Sequence, residues 1–193
     1  MARSYRKKRG CKEADAALPT ALRVLTVRAR PGQRSKGLLR AGPLVFPCAL
    51  GRGGISAAKR EGDGATPLAA MRVLGGYFRA DHFAAARRTR LAMAPIDADL
   101  GWCEVPDDRN YNRPVRLSAD SSADRLARAD HLYDFIIEID HNARPRVTRR
   151  GSAVFLHLAR PGFGPTAGCV AMTKGAMLRL LARIGPKTKI VIG

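Results

Sequence analysis

The sequence contains few acidic residues and few aromatic residues. Only 16 Asp and Glu stand against 35 Lys and Arg, so the formal net charge is +19. Such a charge is typical of proteins that bind nucleic acid, an anionic membrane surface or an acidic polymer. Aromatic residues make up only 6% of the chain, and no zinc-finger or RNP-like motif accompanies the charge. A basic nucleic-acid-binding module is therefore supported by charge alone, and a general arginine bias explains the charge equally well.

Long apolar runs are also missing. No stretch approaches the roughly 18 apolar residues of a membrane-spanning helix, so we predict no transmembrane segment. The chain begins with a basic run, but the apolar stretch at residues 16–22 is short and contains Pro19. A secretory signal peptide needs about 7 to 15 apolar residues after its basic start, so this one is not convincing. We predict a basic, disordered tail at residues 1–21 and a single domain at residues 22–193.

Motifs of a structural zinc site are absent from the sequence. The four cysteines include no CxxC pair, and none lies next to a histidine; they are Cys11, Cys48, Cys103 and Cys169. Four cysteines permit three disulfide connectivities, which the sequence leaves open. Three histidines also lack the spacing of metal ligands, and we interpret them as surface or capping residues: His82, His131 and His141. We therefore predict no metal site and no organic cofactor.

The segment at residues 151–172 contains the clearest candidates for chemistry. It begins as an apolar strand that ends near His157, continues through a loop rich in proline and glycine, and reaches Cys169 behind Gly168. Proline and glycine favour turns, so this loop can return the chain to the histidine. A thiol nucleophile needs a nearby base, and its reaction needs backbone amides directed at the oxyanion. We predict His157 as the base, Cys169 as the nucleophile, and the backbone of Ala167 and Gly168 as the oxyanion site.

This segment resembles the catalytic motif of a known family. The sequence GSAVFLH followed by PTAGCV is similar to that of the L,D-transpeptidase (YkuD-like) family, bacterial enzymes that remodel peptidoglycan stem peptides. The family's usual motif is Ser-His-Gly-Cys followed by Arg or Asn, whereas here Thr166, Ala167 and Ala171 replace the Ser, the His and the Arg. The chain is similar to the family's Thr-Ala-Gly-Cys branch, and the resemblance covers about residues 22–193. Composition alone favours an inert buried His and Cys, and the resemblance shifts the interpretation to catalysis.

The resemblance implies a cysteine-dependent L,D-transpeptidase domain in the periplasm or cell wall, with peptidoglycan stem peptides as its partner. His157 would deprotonate Cys169, which attacks the carbonyl at the L-centre of a tetrapeptide stem and releases D-alanine. The backbone carbonyl of Leu158 would orient the base. An amine acceptor then gives a crosslink, and water gives L,D-carboxypeptidase activity. The departures at positions 167 and 171 also permit a non-catalytic cell-wall-binding protein of the same fold, and a papain-like enzyme would have its Cys before its His.

Residues 101–116 contain side chains suited to ligand binding. Loops that carry such residues on a rigid scaffold often line sites. With Thr166, we predict these substrate-binding residues: Trp102, Asp107, Arg109, Tyr111, Asn112 and Arg113. Because Ala171 removes the family's cation, we expect an arginine from elsewhere to replace it, and the candidates are Arg109, Arg113 and Arg160. We also expect Cys169 to be unpaired and more acidic than the other cysteines, since a neighbouring imidazole stabilises a thiolate.

Strand patterns dominate the rest of the chain. We predict strands at residues 22–27, 38–40, 44–50, 66–78, 132–140, 153–158 and 188–192. The second and third of these form one hairpin, and the fifth and sixth form another. Thr173 caps a helix at residues 174–184, a short helix is predicted at residues 121–130, and residues 79–116 are irregular. The predicted fold class is mainly β, an antiparallel β-sandwich or partly closed barrel with one helix packed after the nucleophile loop.

Overall fold

The computed structural model describes residues 18–83, 88–118 and 122–193. These residues form the following strands: β1 (Val24–Arg30), β2 (Gln33–Ala41), β3 (Leu44–Ala49), β4 (Ile55–Ser56), β5 (Thr66–Pro67), β6 (Ala69–Phe78), β7 (Met93–Pro95), β8 (Leu100–Cys103), β9 (Arg113–Arg116), β10 (Asp124–Arg125), β11 (Phe135–Ile139), β12 (Phe155–Leu158), β13 (Val170–Met172) and β14 (Lys189–Ile192). One α-helix, α1 (Lys174–Leu181), follows β13 in this part of the chain. Residues 1–17, most of the predicted tail, lie outside the described residues.

Eight strands form a closed barrel. Their order is β11, β12, β13, β3, β2, β1, β14 and β6, and β6 pairs with β11 to complete the circle. Most neighbours are antiparallel, but β12 pairs with β13 and β1 pairs with β14 in parallel. The prediction of a mainly β, partly closed barrel with one helix is therefore confirmed, with two parallel pairs that the sequence did not indicate.

Both predicted hairpins are present. Strands β2 and β3 pair antiparallel around a short turn that places Ala41 opposite Leu44. Strands β11 and β12 pair antiparallel with Ile137 opposite Leu156. Alternation of buried and exposed residues along β2 matches the period of two that a half-buried strand requires.

The helix α1 begins where the sequence predicts. The Thr173 side chain accepts a hydrogen bond from the Ala176 amide, as an N-cap residue does. The helix ends at Leu181 rather than at residue 184, because the Arg183 amide bonds to the Leu180 carbonyl and tightens the last turn. No helix among the described residues is both long and apolar enough to cross a membrane.

Two predictions for the middle of the chain are wrong. Residues 101–116 are not irregular, since β8 and β9 form a hairpin with Trp102 opposite Pro114. The described residues 122–130 contain no helix, because β10 extends the same small sheet by pairing with β8. This pairing precedes Leu126, which is fully buried. A ten-residue helix has little stability without packing, so tertiary pairing decides the local structure here. Residue 121, at the predicted helix start, lies outside the described residues.

Strands β12 and β13 separate two clusters of buried side chains. Leu156, Val170 and Met172 belong to the main core together with Met177 of α1. Phe155 and the adjoining Cys169 belong to a smaller cluster. Since successive side chains of a strand point to opposite faces, the residues between the core positions face away from the main core. This second face carries the candidate site.

Candidate active site

His157 and Cys169 lie on the same face of two neighbouring strands. The parallel register places His157 opposite Ala171 and Leu156 opposite Val170. Cys169 directly precedes β13, so the alternation directs it to the side of Ala171 and therefore of His157. Both side chains line one cavity of about 510 Å³. The strand register, rather than closeness in sequence, brings these two residues together.

Charged side chains of both signs line this cavity. The acidic ones are Glu61, Glu104 and Asp124. The basic ones are Arg52, Lys59, Arg128 and Arg160. The cavity can therefore receive a ligand that carries both a carboxylate and an ammonium group.

The Cys169 thiol is buried and hydrogen bonded to backbone. Its Sγ donates to the Ala153 carbonyl at 3.1 Å and accepts from the Phe155 amide at 3.3 Å. The cysteines Cys48, Cys103 and Cys169 are free, and Cys11 lies outside the described residues. Cys169 is thus in the reduced form that a nucleophile requires, and its proton points at a carbonyl oxygen.

The expectation that Cys169 is unusually acidic is wrong. Burial, chiefly, raises the pKa of Cys169 to about 12, and the nearby negative charges of Glu104 and Asp124 act in the same direction. Burial likewise raises the pKa of Cys48 to about 12. A buried thiolate loses its hydration, and His157 carries no charge that would compensate this loss. The thiol is therefore neutral in this state.

His157 is a neutral imidazole whose orientation is fixed by backbone. Its Nδ1 lies 2.8 Å from the Leu158 carbonyl oxygen, which can only accept, so Nδ1 carries the proton. Burial, chiefly, lowers the pKa of His157 to about 4, and the charges of Arg160 and Arg128 act in the same direction. Nε2 is consequently the nitrogen that can accept a proton. The Tyr133 ring stands edge-on to the imidazole, with ring centroids 5.3 Å apart.

Thr166 braces the loop in front of the thiol. Its Oγ1 donates to the Cys169 carbonyl at 2.7 Å and accepts from the Gly168 amide at 3.1 Å. Its own backbone bonds to Leu50 and Arg52, both at 2.9 Å. Thr166 is therefore held by its own hydrogen bonds in this state, and it also lines the cavity, so its role in substrate binding stays a prediction. The Gly168 amide, predicted as an oxyanion donor, donates to Thr166 Oγ1 in this state, and both Ala167 and Gly168 line the cavity.

Only glycine fits at position 168. Its φ is +145°, and a Cβ at this position would lie 2.8 Å from the Ala65 carbonyl oxygen. Side chains disfavour this region of φ, and the contact is with rigid backbone. The loop that precedes Cys169 therefore packs directly against the backbone of Ala65.

Replacing Thr166 by valine should destabilise the protein by about 1 to 3 kcal/mol, since the Gly168 amide and the Cys169 carbonyl both lose their partner. Urea denaturation followed by circular dichroism measures this change in the free energy of unfolding. Thr26→Val is the matched control, because the Thr26 hydroxyl has no hydrogen-bond partner among the described residues. We expect the control to stay within about 0.5 kcal/mol. Equal stability of the two variants would show that the brace contributes nothing.

The predicted binding residues Trp102 and Asn112 lie behind the cavity wall. The Trp102 Nε1 donates to the Asn112 Oδ1 at 3.1 Å, and the same oxygen accepts from the Ala153 amide at 3.1 Å. The Asn112 Nδ2 donates to the His141 and Asn142 carbonyls. Asn112 is therefore a buried connector that uses its whole amide group. The two residues support the wall from behind without facing a ligand.

The other predicted residues of this stretch also lie outside the cavity lining. The Tyr111 hydroxyl donates to Glu61 at 2.5 Å, so Tyr111 holds a cavity residue without lining the cavity. Asp107 is exposed and pairs with Arg149 at 3.0 Å. Arg109 and Arg113 are exposed and absent from the lining, whereas Arg160 belongs to it. The loop-like composition of residues 101–116 indicated that they form a pocket wall. In the structure, the β8–β9 hairpin packs one face against Phe155 and exposes the other face to solvent.

Sequence reasoning missed several cavity residues. Lys59 is buried, with Nζ 2.6 Å from Asp63. Glu104 is exposed at one end, but loss of hydration in the cleft raises its pKa to about 7, and the charges of Asp124 and Glu61 act in the same direction. These residues come from separate segments without a shared motif. No local signal identifies them, because only the closed barrel places them around one space.

The fold and the cavity define the class to which the chain belongs. Its described residues form a closed β-barrel with one α-helix, and one cavity is lined by a histidine of β12 and by the cysteine that directly precedes the adjoining parallel strand β13. The chain is a member of the YkuD family, the L,D-transpeptidase catalytic domain, whose model matches residues 31–192. The resemblance noted in the sequence is thereby confirmed at the level of the family. No curated protein and no solved structure matches the chain significantly.

Proposed function

We propose that this protein is a cysteine-dependent L,D-transpeptidase that acts on peptidoglycan stem peptides in the periplasm or cell wall. The observation that carries the proposal is the placement of Cys169 and His157 on one face of adjoining strands and in one cavity. Membership of the L,D-transpeptidase family supports the substrate class. The mixed charge of the cavity suits a stem peptide, which carries both carboxylate and amine groups.

The first half-reaction forms a thioester. Cys169 and His157 begin as a neutral pair, since burial raises the pKa of the thiol to about 12 and lowers that of the imidazole to about 4. The proton therefore moves to His157 Nε2 as Sγ attacks the carbonyl carbon at the L-centre of the stem. In the resting state the S–H group donates to the Ala153 carbonyl oxygen, so the S–H proton must first rotate away from that oxygen and toward His157. Collapse of the tetrahedral intermediate breaks the C–N bond, and His157 returns the proton to the departing D-alanine amine.

The second half-reaction releases the acyl group. An acceptor amine attacks the thioester carbon, His157 takes one of its protons, and the Cys169 thiolate leaves and is reprotonated. The product is an amide crosslink. Water in place of the amine gives a shortened stem and L,D-carboxypeptidase activity.

Arginine side chains of the cavity compensate for the small residue at position 171. Ala171 lies opposite His157 in the strand register, so the family's cation is missing beside the base. Arg160 lies at the cavity mouth and is close enough for its charge to lower the His157 pKa. Of the other basic residues, Arg128 is already paired with Asp130 at 2.5 Å and Lys59 with Asp63 at 2.6 Å, and Arg52 donates to the Gly62 carbonyl at 3.1 Å. Arg160 is therefore the main candidate to receive a substrate carboxylate.

Replacing Arg160 by glutamine should raise KM for a tetrapeptide stem about tenfold, since loss of about 1.4 kcal/mol of binding corresponds to a factor of ten. The rate of Cys169 alkylation should stay unchanged, because the thiol keeps both of its backbone partners. Steady-state kinetics with a labelled stem measures the first quantity. Arg109→Gln and Arg113→Gln are matched controls, since both side chains are exposed and outside the cavity lining. An unchanged KM for Arg160→Gln would assign the carboxylate to another group.

The decisive test of the function is product analysis. Purified protein is incubated with a labelled tetrapeptide stem, with and without a second stem as acceptor, and the products are identified by mass spectrometry. We expect release of D-alanine together with a crosslinked dimer or a shortened stem. Binding of the stem without any product would instead indicate a non-catalytic cell-wall-binding protein.

A further inference from the structure

A second group of chemically versatile side chains lies outside the cavity. His82 follows β6, and His131 and Asp134 lie just before β11. Each of the three offers one ligand atom, and these atoms all lie within 4.8 Å of one another. None of the three lines the cavity that holds Cys169. Their spacing in the sequence gave no indication that they would meet.

The distances within this group are within a small side-chain adjustment of those around a metal ion. The His82 Nδ1 lies 2.8 Å from Asp134 Oδ1, and the His131 Nδ1 lies 3.3 Å from Asp134 Oδ2. Zinc bonds to imidazole nitrogen and carboxylate oxygen at about 2.0 to 2.2 Å, which places neighbouring ligands of a tetrahedral site about 3.3 Å apart. Two imidazoles and one carboxylate leave a fourth position for water.

The carboxylate of this group is held in place before any ion binds. Asp134 is buried, with 5% of its surface exposed. Its backbone amide bonds to the His131 carbonyl at 3.2 Å, and its carbonyl accepts from the Arg79 amide at 3.0 Å. His131 has a φ of +61°, a left-handed conformation that is uncommon for a residue with a side chain. The backbone thus fixes the positions from which the carboxylate and one ring extend.

The surrounding charges permit a cation. Arg79 forms a two-point ion pair with Asp81, at 2.8 and 2.5 Å, so its own charge is compensated. The other ring nitrogen, His82 Nε2, lies 3.5 Å from the Arg79 guanidinium and 3.6 Å from the Asp81 carboxylate that neutralises it. A carboxylate behind a ligating histidine is a frequent companion of metal sites, because it orients the ring and increases its basicity.

We infer that His82, His131 and Asp134 form a site for a divalent transition metal ion of the zinc class. Nitrogen and carboxylate ligands suit zinc better than calcium or magnesium, which prefer all-oxygen sites. The site is independent of the transfer reaction, since its ligands lie outside the cavity. The segment between His131 and Asp134 also supplies Leu132 and Tyr133 to the cavity wall. A bound ion would therefore tie the turn at residues 79–83 to that wall.

Calorimetric titration of the full-length protein with Zn²⁺ tests the inference. We expect one ion per chain, and His82→Gln and His131→Asn should each weaken binding by at least about tenfold, the smallest effect seen even for outer partners of metal ligands. Asparagine is chosen at position 131 because it tolerates a positive φ. His141→Gln is the matched control, since it removes an imidazole outside the group. The affinity of this variant for Zn²⁺ should equal that of the parent protein. Circular dichroism of the metal-free variants verifies that each is folded.

Side-chain NMR gives a second, site-specific result. Zn²⁺ should shift the imidazole signals of His82 and His131 and leave those of His141 and His157 unchanged. Absence of binding, or binding that survives both His82→Gln and His131→Asn, would overturn the assignment. Because no substrate is present, failure here would not affect the proposed transferase function. Conversely, an inactive Cys169→Ser variant should still bind Zn²⁺ with unchanged affinity.

Discussion

Replacing Cys169 by serine should lower kcat/KM for a tetrapeptide stem by at least about 10³-fold, since the variant loses the nucleophile that forms the acyl-enzyme. A serine hydroxyl is far harder to deprotonate than a thiol, and an imidazole with a pKa of about 4 is a weak base for it. Serine nearly matches cysteine in size and can keep both backbone partners, so the fold should persist. Steady-state turnover and the mass of a trapped acyl-enzyme are the two measurements.

Cys48→Ala is the matched control for this variant. Cys48 is also buried, and burial raises its pKa to about 12, but it belongs to the main core rather than the cavity. We expect Cys48→Ala to retain turnover and to form the acyl adduct. Full turnover by Cys169→Ser, or an adduct mapped to another residue, would refute Cys169 as the nucleophile.

Replacing His157 by glutamine should lower kcat/KM by about 10² to 10⁴-fold, the usual contribution of a positioned general base. The reaction of the parent protein should also decline in acid with an apparent pKa near 4. The direction follows from the role of the base: His157 must be unprotonated, its pKa is lowered to about 4, and protonation below that value removes the acceptor. Between pH 7 and 5 this histidine should therefore cause no loss of rate.

The pH profile of the variants separates this role from a structural one. The limb near pH 4 should be missing in His157→Gln, whereas His141→Gln should keep it, because His141 lies outside the Cys169 cavity. An acid limb near the ordinary histidine value of about 6.5 that disappears in His157→Gln would contradict a buried neutral base, whereas one that persists in this variant belongs to another cavity group such as Glu104. Turnover of His157→Gln at the parental rate would assign proton transfer to another group.

Much of the barrel could be predicted from local patterns. The run of Phe and Ile over residues 135–139 indicates the strand β11, and Thr173 marks the start of α1. The wrong prediction of a helix at residues 121–130 has a different origin. A short polar segment favours several local structures about equally, and pairing with β8 selects the strand over residues 124–125.

The candidate site was predictable in its chemistry and not in its surroundings. His157 and Cys169 share a short segment with a recognisable motif, so the sequence indicated both. The two side chains share one face only because β12 pairs in parallel with β13, and a long loop separates these strands in the sequence. The sequence also placed Trp102 and Asn112 in the pocket wall. The structure uses their polar atoms for each other and for backbone instead.

The sequence by itself determined which groups are available: one cysteine and one histidine in a motif, strands with a period of two, and a capped helix. The tertiary structure decided how these groups behave. Burial makes the Cys169 thiol less acidic and the His157 imidazole less basic, because both charged forms lose hydration inside the protein. Closure of the barrel also gathers Lys59, Glu104 and Arg160 around one cavity. Local sequence cannot contain this information, since hydration and proximity arise only when distant segments pack together.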